Sequence, residues 1–528
     1  VVSGSEKVII SQERQAENKT FCFKSIGTTR FSRVVEVKSV PQTGFMPAKT
    51  TTVKIATKYV ESSRPLYVIF QGCKKEVPIV ILFRVLGIMT DRDISDCILG
   101  YEDTELRKEF LPFLHASFKE EEMIKTTEEA LEYMSKVIIF PAQMRIQGTT
   151  PAMKIMNTRK IINTDFLPHL GNHSKNKSFF LGRMIQKLLL YATNRIPEDD
   201  RDSFENKRVD TPGIMLGNLF RQSFTKLIKD TTTILTKEIN NGVWKLNDNF
   251  HSLINSNNIY KIMKSNIIES NVKYSLATGN WGVKNTTAKV GVAQVLQRLS
   301  YLGTLSHLRR VNTPIDKTSK MVKPRKLHPS TFGYTCPAET PEGPSVGLVK
   351  NLALSSTITL AKPSYAVCNI IKDYVISLEP TRVSEDHSTI YLNGEIIGWC
   401  EDMSPLVKDL IKYRRKGVIH IHTAVVPNYS KKELHVYTSG GRLIRPLFIV
   451  QNNNTPVFGQ KHMNYMKKNK QAWNILLRGD SDYDIDSAIE YIDVQESNTV
   501  MICDHMNRLK VPRGDFIMRY THCEMTRV

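Results

Sequence analysis

Short β-prone runs open the chain: Val8–Ile10, Phe21–Phe23, Val34–Val37, Thr52–Ile55, Tyr67–Phe70 and Val77–Phe83, each cut from the next by glycine, proline or charge. Runs of that length and make-up predict strands, so residues 1–91 read as strand-rich. The period changes at Asp91. From there to about Asn194, SFKEEEMIKTTEEALEYM carries an acidic helical pattern, and in FFLGRMIQKLLLYA the residues Phe180, Leu181, Met184, Ile185, Leu188 and Leu189 share one face. GNHSKNKS, at 171–178, reads as an exposed, mobile polar loop. Helical pattern resumes between Gly213 and Asn271. After it, Val290, Val292, Val295, Leu296, Leu299, Leu302 and Leu305 form a stripe at roughly helical spacing, which predicts a helix with Arg298 on its polar side. A strand-rich block follows at about 353–455. There Leu434–Tyr437 and Arg442–Val450 flank Ser439-Gly440-Gly441, a hairpin signal, and KDLIKYRRKG predicts a basic helix stopped by Gly417. The fold class is therefore α+β multidomain, with strand-rich and helix-rich domains mixed along the chain.

Composition narrows the picture. A chain of 528 residues with 41% hydrophobic content has room for several domains with real cores. Its net charge of +21 predicts a polyanionic partner. Nucleic acid fits better than a membrane, because no segment reaches the roughly 18 apolar residues of a spanning helix. The nearest, Val77 to Met89, is interrupted by Pro78 and Arg84 and reads as buried core. The eight cysteines lie far apart, without metal-ligand spacing. No signal-peptide pattern begins the chain, so a reducing intracellular setting is expected. The chain also opens in mid-pattern without Met, and reads as a piece of a longer protein.

Charge is most one-sided between Trp281 and Ala338. Lys284, Lys289, Arg298, Arg309, Arg310, Lys317, Lys320, Lys323, Arg325 and Lys326 stand there against one acid, Asp316. One sign alone makes a field aimed at a polyanion. Lys317, Lys320 and Lys323 lie in a polar loop between Pro314 and Pro324. Beyond it Pro337, Pro341, Gly343, Pro344 and Gly347 pin a tight backbone carrying Glu339 and Glu342, the first carboxylates after the cationic run. Acids pinned beside a basic loop suit a site that handles phosphates and bases; the alternative is a loop clamped by two prolines for stability. Three lesser features read as structural. Trp281 suits packing better than base stacking, His307 and His328 suit hydrogen-bonded structure, and PEDDRD (197–202) suits helix-start charges better than a metal. In the run Asp480 to Asp486, an EF-hand reading fails for want of Gly at Ile485 and of an acid at Tyr491, leaving an acidic solvent loop.

The run HLRRVNTPI…KPRKLH…CPAETPEGPSVGLVKN resembles the fork region of the second-largest subunit of multisubunit DNA-directed RNA polymerases, of eukaryotic, archaeal or large-DNA-virus type. VVSGSEKVIISQER, VPIVILFRVLGI, DDRDSFENKRVD, GGRLIRPLFIV and YTHCEM resemble the same subunit in the same order, so the likeness covers nearly the whole chain. It implies a protrusion (1–91 and 197–271), a lobe (92–196), a fork (272–352) and two external domains (353–455 and 456–528). It implies a nucleotidyltransferase acting as part of a complex, with no catalytic acid in this segment and no activity of the segment alone. Mg²⁺ would be held mainly by the largest subunit, and any zinc site would lie beyond residue 528. The fork loops would bring Lys284, Lys289, Arg309, Arg310, Lys317, Lys320, Lys323, Arg325 and Lys326 near template DNA or the RNA–DNA hybrid. Glu342 would face the incoming ribonucleotide and the partner's mobile loop, and Ser345 the RNA 3′ end. Many relatives carry an amide at the Ser345 position and Gln at that of Lys326. Asp482-Tyr483-Asp484-Ile485-Asp486 lacks the Gly that the largest subunit's metal-holding motif needs at Ile485. Implied partners are the largest subunit and smaller assembly subunits, with no membrane. The implied location is the nucleus, or the cytoplasm or virion for a viral source. The competing reading is a non-catalytic, basic nucleic-acid-binding scaffold derived from that subunit.

Overall fold

Alternation builds the first body. In Phe31–Ser39 and Lys49–Ala56 inward side chains recur at every second position, and a five-stranded antiparallel sheet results in the order Thr20–Lys24, Phe31–Ser39, Lys49–Ala56, Leu66–Phe70, Val77–Pro78. The computed structural model describes the chain apart from residues 26, 28, 43–45, 59–63, 101–104, 121–122, 141–149, 241–258, 283–288, 377–386, 469–471, 481–484, 512–517 and 526–528. Val35, Val53 and Val68 of the sheet share one core with Ile94, Leu181, Met184, Ile185 and Leu188 of the helices that cover it. The change of composition at Asp91 is thus a change of layer inside one core.

Two expectations for this body need correction. Val77–Phe83 is a strand only at Val77–Pro78; Ile79–Val85 is a helix, and Ile79 through Phe83 are all buried. A short apolar run that is buried all round has no period to tell strand from helix. GNHSKNKS is not a loop beyond His173, because the helix Ser174–Ala192 starts inside it. Lys177 is fully buried there, and its ammonium donates to the carbonyls of Ile162 (3.3 Å) and Asn163 (2.8 Å) near the end of the helix Pro151–Asp165. Both carbonyls belong to the last turn of that helix, where the Ile162 carbonyl also accepts from the Phe166 amide at 3.2 Å.

The start of the chain pairs with segments far along the sequence. Lys7–Ile9 pairs with Ala293–Val295, and Ser11–Gln15 lies between Arg310–Asn312 (parallel) and Lys207–Asp210 (antiparallel). Val349–Asn351 completes that four-stranded sheet. The stripe from Val290 to Leu305 is therefore not one helix. Pairing with Lys7–Ile9 draws its first half into a strand, and Ser300, whose Oγ accepts from the Gly303 amide at 3.0 Å, starts a separate helix, Tyr301–Leu308. Tertiary pairing has overridden local period here.

The hairpin around Ser439-Gly440-Gly441 is also absent. Glu433–Tyr437 sits between Ser388–Leu392 and Ala424–Asn428 in one sheet, whereas Leu443–Ile449 joins a second sheet with Thr357–Ile358, Ile489–Asp493 and His522–Glu524. The glycines serve close approach instead of a turn: a Cβ on Gly440 would lie 2.7 Å from the Ala361 amide nitrogen. The basic helix forms as expected over Ser404–Arg415, with Gly417 at a positive φ of 73° just past it. Its Arg414 is buried against Glu490 (2.8 Å) and Glu496 (2.6 Å), tying the two sheets together.

One buried carboxylate locks the four-stranded sheet that contains Ser11–Gln15. Glu13 is 2% exposed and accepts from Lys207 (3.1 Å), Lys350 (3.0 Å) and Thr313 (2.8 Å). Burial would raise its pKa, but attraction to Lys350 and Lys207, with the hydrogen bonds from Lys350 and Thr313, holds it below the ordinary 4.5. A lowered folded value means stability that is complete above pH 4.5 and lost as pH falls through that folded value. We expect Glu13→Gln, which strands two largely buried ammoniums, to cost about 3 kcal/mol at neutral pH. Urea unfolding followed between pH 7 and pH 3, on the ordinary range of carboxylate titration, should show wild type losing stability on acidification and the variant losing less of it. Parallel pH curves would contradict this account of Glu13.

Candidate nucleic-acid interface

The strand Arg310–Asn312 delivers the chain from the sheet into the basic loop, and Val349–Asn351 brings it back. Between them the backbone is held by short 3₁₀ turns at Lys323–Arg325, Pro329–Thr331 and Gly343–Ser345, each with proline in its first positions. The loop's one acid is used locally, since the Asp316 carboxylate accepts from the Thr318 amide at 3.0 Å. Lys317, Lys320, Lys323 and Lys326 are exposed, and among the described residues none forms a salt bridge. Four unpaired ammoniums on one loop keep their charge available to solvent and partners.

The arginines are placed differently. Arg325 donates through Nη1 to the carbonyls of Pro344 (2.6 Å) and Val346 (3.1 Å), and through Nη2 to those of Lys317 (2.9 Å) and Ser319 (3.0 Å). Arg309 likewise donates to the carbonyls of Ala353 (2.6 Å) and Ser356 (2.8 Å). Arg310 lies in the sheet, half-buried, with Nε lacking a hydrogen-bond partner among the described residues. Arg298 pairs with Glu6 at 2.7 Å. Lys289 is 3.9 Å from Asp210, which also accepts from Arg14 at 2.6 Å. Lys284 lies outside the described residues.

The turn that bears the acids is closed by Thr340, whose Oγ accepts from the Gly347 amide (2.9 Å) and donates to the Val349 carbonyl (3.1 Å). Glu342 opens the turn Gly343–Ser345 from an exposed position, and its carboxylate makes no capping hydrogen bond. It is not held as a local cap. Glu339, by contrast, accepts from the Ser306 hydroxyl. Ser345 is half-buried within the turn. Between loop and turn lies a pocket lined by Arg325, Lys326, Glu339, Thr340, Lys207 and Lys350. Lys207, Lys350, Thr340 and Gly347 were not singled out as site residues from sequence. The lysines sit singly in strands, where charge usually means a solvated face, and only the density of fixed-backbone residues in ETPEGPSVG marked the turn.

The structural readings of the other candidates are explicit. Trp281 is buried against Met215, Leu219 and Val292 and donates from Nε1 to the Met215 carbonyl at 3.2 Å. His307 Nδ1 accepts from the Gln297 amide (3.1 Å), so its proton lies on Nε2, 3.1 Å from the Gln294 Oε1. His328 bridges Ser330 (2.7 Å) and Asp200 (2.8 Å). PEDDRD starts no α-helix: Asp199 pairs with Lys187 (2.8 Å) and Asp200 with His328, so tertiary partners use its acids. Asp482 and Asp484 lie outside the described residues. Among the described residues no group of three or more His, Cys, Asp or Glu could hold a metal ion, and no helix is long and apolar enough to cross a membrane.

Exposed lysines on a braced loop lie beside a turn that displays an uncapped acid, a surface whose charge suits a polyanionic partner. The family described as RNA polymerase Rpb2, domain 2, matches residues 8–210; domain 3 of the same subunit matches 294–358, and domain 4 matches 390–451. The chain is 35% identical to DNA-directed RNA polymerase II subunit 2 of Arabidopsis thaliana, over 99% of this chain and 43% of that one. It is 30% identical to subunit Rpo2 of Sulfolobus acidocaldarius (95% and 42%) and 31% identical to DNA-directed RNA polymerase subunit 2 of Acanthamoeba polyphaga mimivirus (99% and 45%). This chain belongs to the family of second-largest subunits of multisubunit RNA polymerases. It spans less than half the length of these relatives.

Gly347 tests the geometry of the turn. Its φ is +70°, and an added Cβ would lie 2.1 Å from the Arg325 carbonyl oxygen, whereas Gly343, at φ +78°, has nothing within 4 Å. Gly343→Ala should cost only left-handed backbone strain, about 1 kcal/mol. Gly347→Ala should cost clearly more, read as lower thermal stability and faster proteolysis within 317–347. Equal costs would show that loop and turn are not packed as described.

Proposed function

We propose that this chain forms one wall of the active-centre cleft of an assembled DNA-directed RNA polymerase, contacting template DNA, the RNA–DNA hybrid and the incoming ribonucleotide. The observation that carries the reading is the cluster of unpaired, exposed lysines on a loop fastened to the turn that displays Glu342. RNA synthesis is an in-line attack of a 3′ hydroxyl on an α-phosphate, promoted by metal ions. The described donors of this chain do not build such a metal site, and Mg²⁺ falls to the largest subunit in this proposal. The work left to these residues is electrostatic and positional. Lys317, Lys320, Lys323 and Lys326 neutralise backbone phosphates, which needs no base code. Arg310 and Lys289 extend the same positive surface. An exposed carboxylate repels a triphosphate, so Glu342 suits hydroxyl donors of the nucleotide or cationic side chains on a partner's loop. Ser345 offers a hydroxyl at the same turn. Partner subunits follow from family membership, and a nuclear, cytoplasmic or virion setting follows the source of the polymerase. The competing reading, a basic scaffold without a part in synthesis, shares the lysines but has no use for Glu342.

The two readings separate in the assembled enzyme. Replacing Lys317, Lys320 and Lys323 together by alanine should flatten the dependence of log K on log salt for template binding by about 0.7–0.9 for each phosphate no longer neutralised. Glu342→Gln should leave that slope unchanged and slow single-nucleotide addition. A reduced slope with normal addition by Glu342→Gln would favour the scaffold. An unchanged slope in the triple variant would overturn the interface itself.

A further inference from the structure

The geometry points to Arg325 as a positioning residue: it joins the basic loop to the Glu342 turn through backbone carbonyls, and does not act as a phosphate ligand. The inference rests on the function proposed for that turn and names how its parts are held. A guanidinium has five N–H donors, four of them on the two Nη atoms. In Arg325 these two atoms serve four carbonyls, two from the turn (Pro344 and Val346) and two from the loop (Lys317 and Ser319). A phosphate could claim them only by breaking both halves of the join. The backbone of the same residue takes part as well. Gly347 packs so closely on it that a Cβ there would lie 2.1 Å from the Arg325 carbonyl oxygen and 2.6 Å from its Cα. Thr340 then closes the turn from the other side, through the Gly347 amide and the Val349 carbonyl.

Side chain and main chain of one residue thus clamp two segments. Pro344 lies two residues from Glu342, and Lys317 and Ser319 lie just before Lys320, so the phosphate-facing lysines and the nucleotide-facing acid are held as one piece. Misplacing a positioned group by about 1 Å can cost on the order of a hundredfold in rate. Lysine cannot replace the join. Its ammonium is a compact charge with three donors and cannot span two pairs of carbonyls in a plane.

The test compares Arg325→Lys, Arg325→Ala and Glu342→Gln in the assembled polymerase, with co-purification of partner subunits as the check on folding. A positioning role predicts that Arg325→Lys loses at least about tenfold in kcat/KM for nucleotide addition, as much as Arg325→Ala, while neither changes the salt slope of template binding. It also predicts that Arg325→Lys costs little more when Glu342 is already Gln, because both act through the same turn. Thr340→Val, which removes the clasp without touching charge, should show the same split. A phosphate ligand would behave in the opposite way: Arg325→Lys near wild type, and Arg325→Ala with the slope reduced by about one. That pattern would overturn the inference. Normal addition by Glu342→Gln would instead overturn the function proposed for the turn. Arg325 would then be judged on the salt slope of its lysine and alanine variants, an unchanged slope in both supporting the join and a reduced one ending it.

Discussion

The sheet that carries the basic loop depends on a carboxylate that has left water. Glu13 sits in a sheet strand whose neighbours come from residues 207–210 and 310–312, and it joins ammoniums from Lys207 and Lys350. Removing a carboxylate from water is costly, and only several well-placed donors offset it. Thr313 supplies a third, at the residue where the sheet ends and the loop begins. One carboxylate shared by two ammoniums leaves an unequal balance. Attraction prevails over burial for Glu13, while for Lys350 burial prevails and holds its pKa below the ordinary lysine value. The site is therefore anchored at both stems of the loop by the same interaction, although the residues that make it are hundreds of positions apart.

Cation identity follows from what each side chain is asked to do. Arginine presents a planar fork of donors and is weakly hydrated, so Arg309 and Arg325 can each gather a cluster of backbone carbonyls. Lysine is a strongly hydrated point charge on a flexible stem, and Lys317, Lys320, Lys323 and Lys326 stand out in solvent. Arginine fixes the frame and lysine carries the field. A count of positive residues treats both alike, whereas the hydrogen bonds set Arg309 and Arg325 apart from the exposed lysines.

What was legible follows the range of the forces involved. The helical face of Phe180 to Leu189 was readable because a single covered face leaves a clean period. The basic helix ending before Gly417 was readable because caps are local chemistry. The long ordered motifs of the fork were enough to identify the family, and the density of proline and glycine located its tight turn. Contacts between distant segments were not readable. The pairing of Lys7–Ile9 with Ala293–Val295 turned an apparent helix into a strand, and Gly440-Gly441 proved to be a crossing between sheets, Gly440 pressed against the backbone near Ala361 and Gly441 against that of Val209. In the candidate site, the exposed lysines could be named from sequence. The frame of Glu13, Lys207 and Lys350 could not, because each is a polar residue whose meaning lies in a partner far along the chain.

The frame also answers an electrostatic problem. Lysines at 317, 320, 323 and 326 repel one another, and with Asp316 turned to a local amide nothing in the loop offsets them. Left alone, such a loop would spread and blur the field it makes. Arg325 adds a further charge, yet each carbonyl it binds turns a negative dipole end toward it, so the join is attractive where the lysines are repulsive. The prolines before and within the loop reduce what must be ordered, since their φ is already set. The cost that remains is lysine–lysine repulsion at solvent-exposed tips, where high dielectric keeps it small. A polyanion laid along the loop would turn that remaining repulsion into attraction without a change of backbone. A surface built from fixed arginines and solvated lysines therefore keeps both its shape and its charge without any ligand.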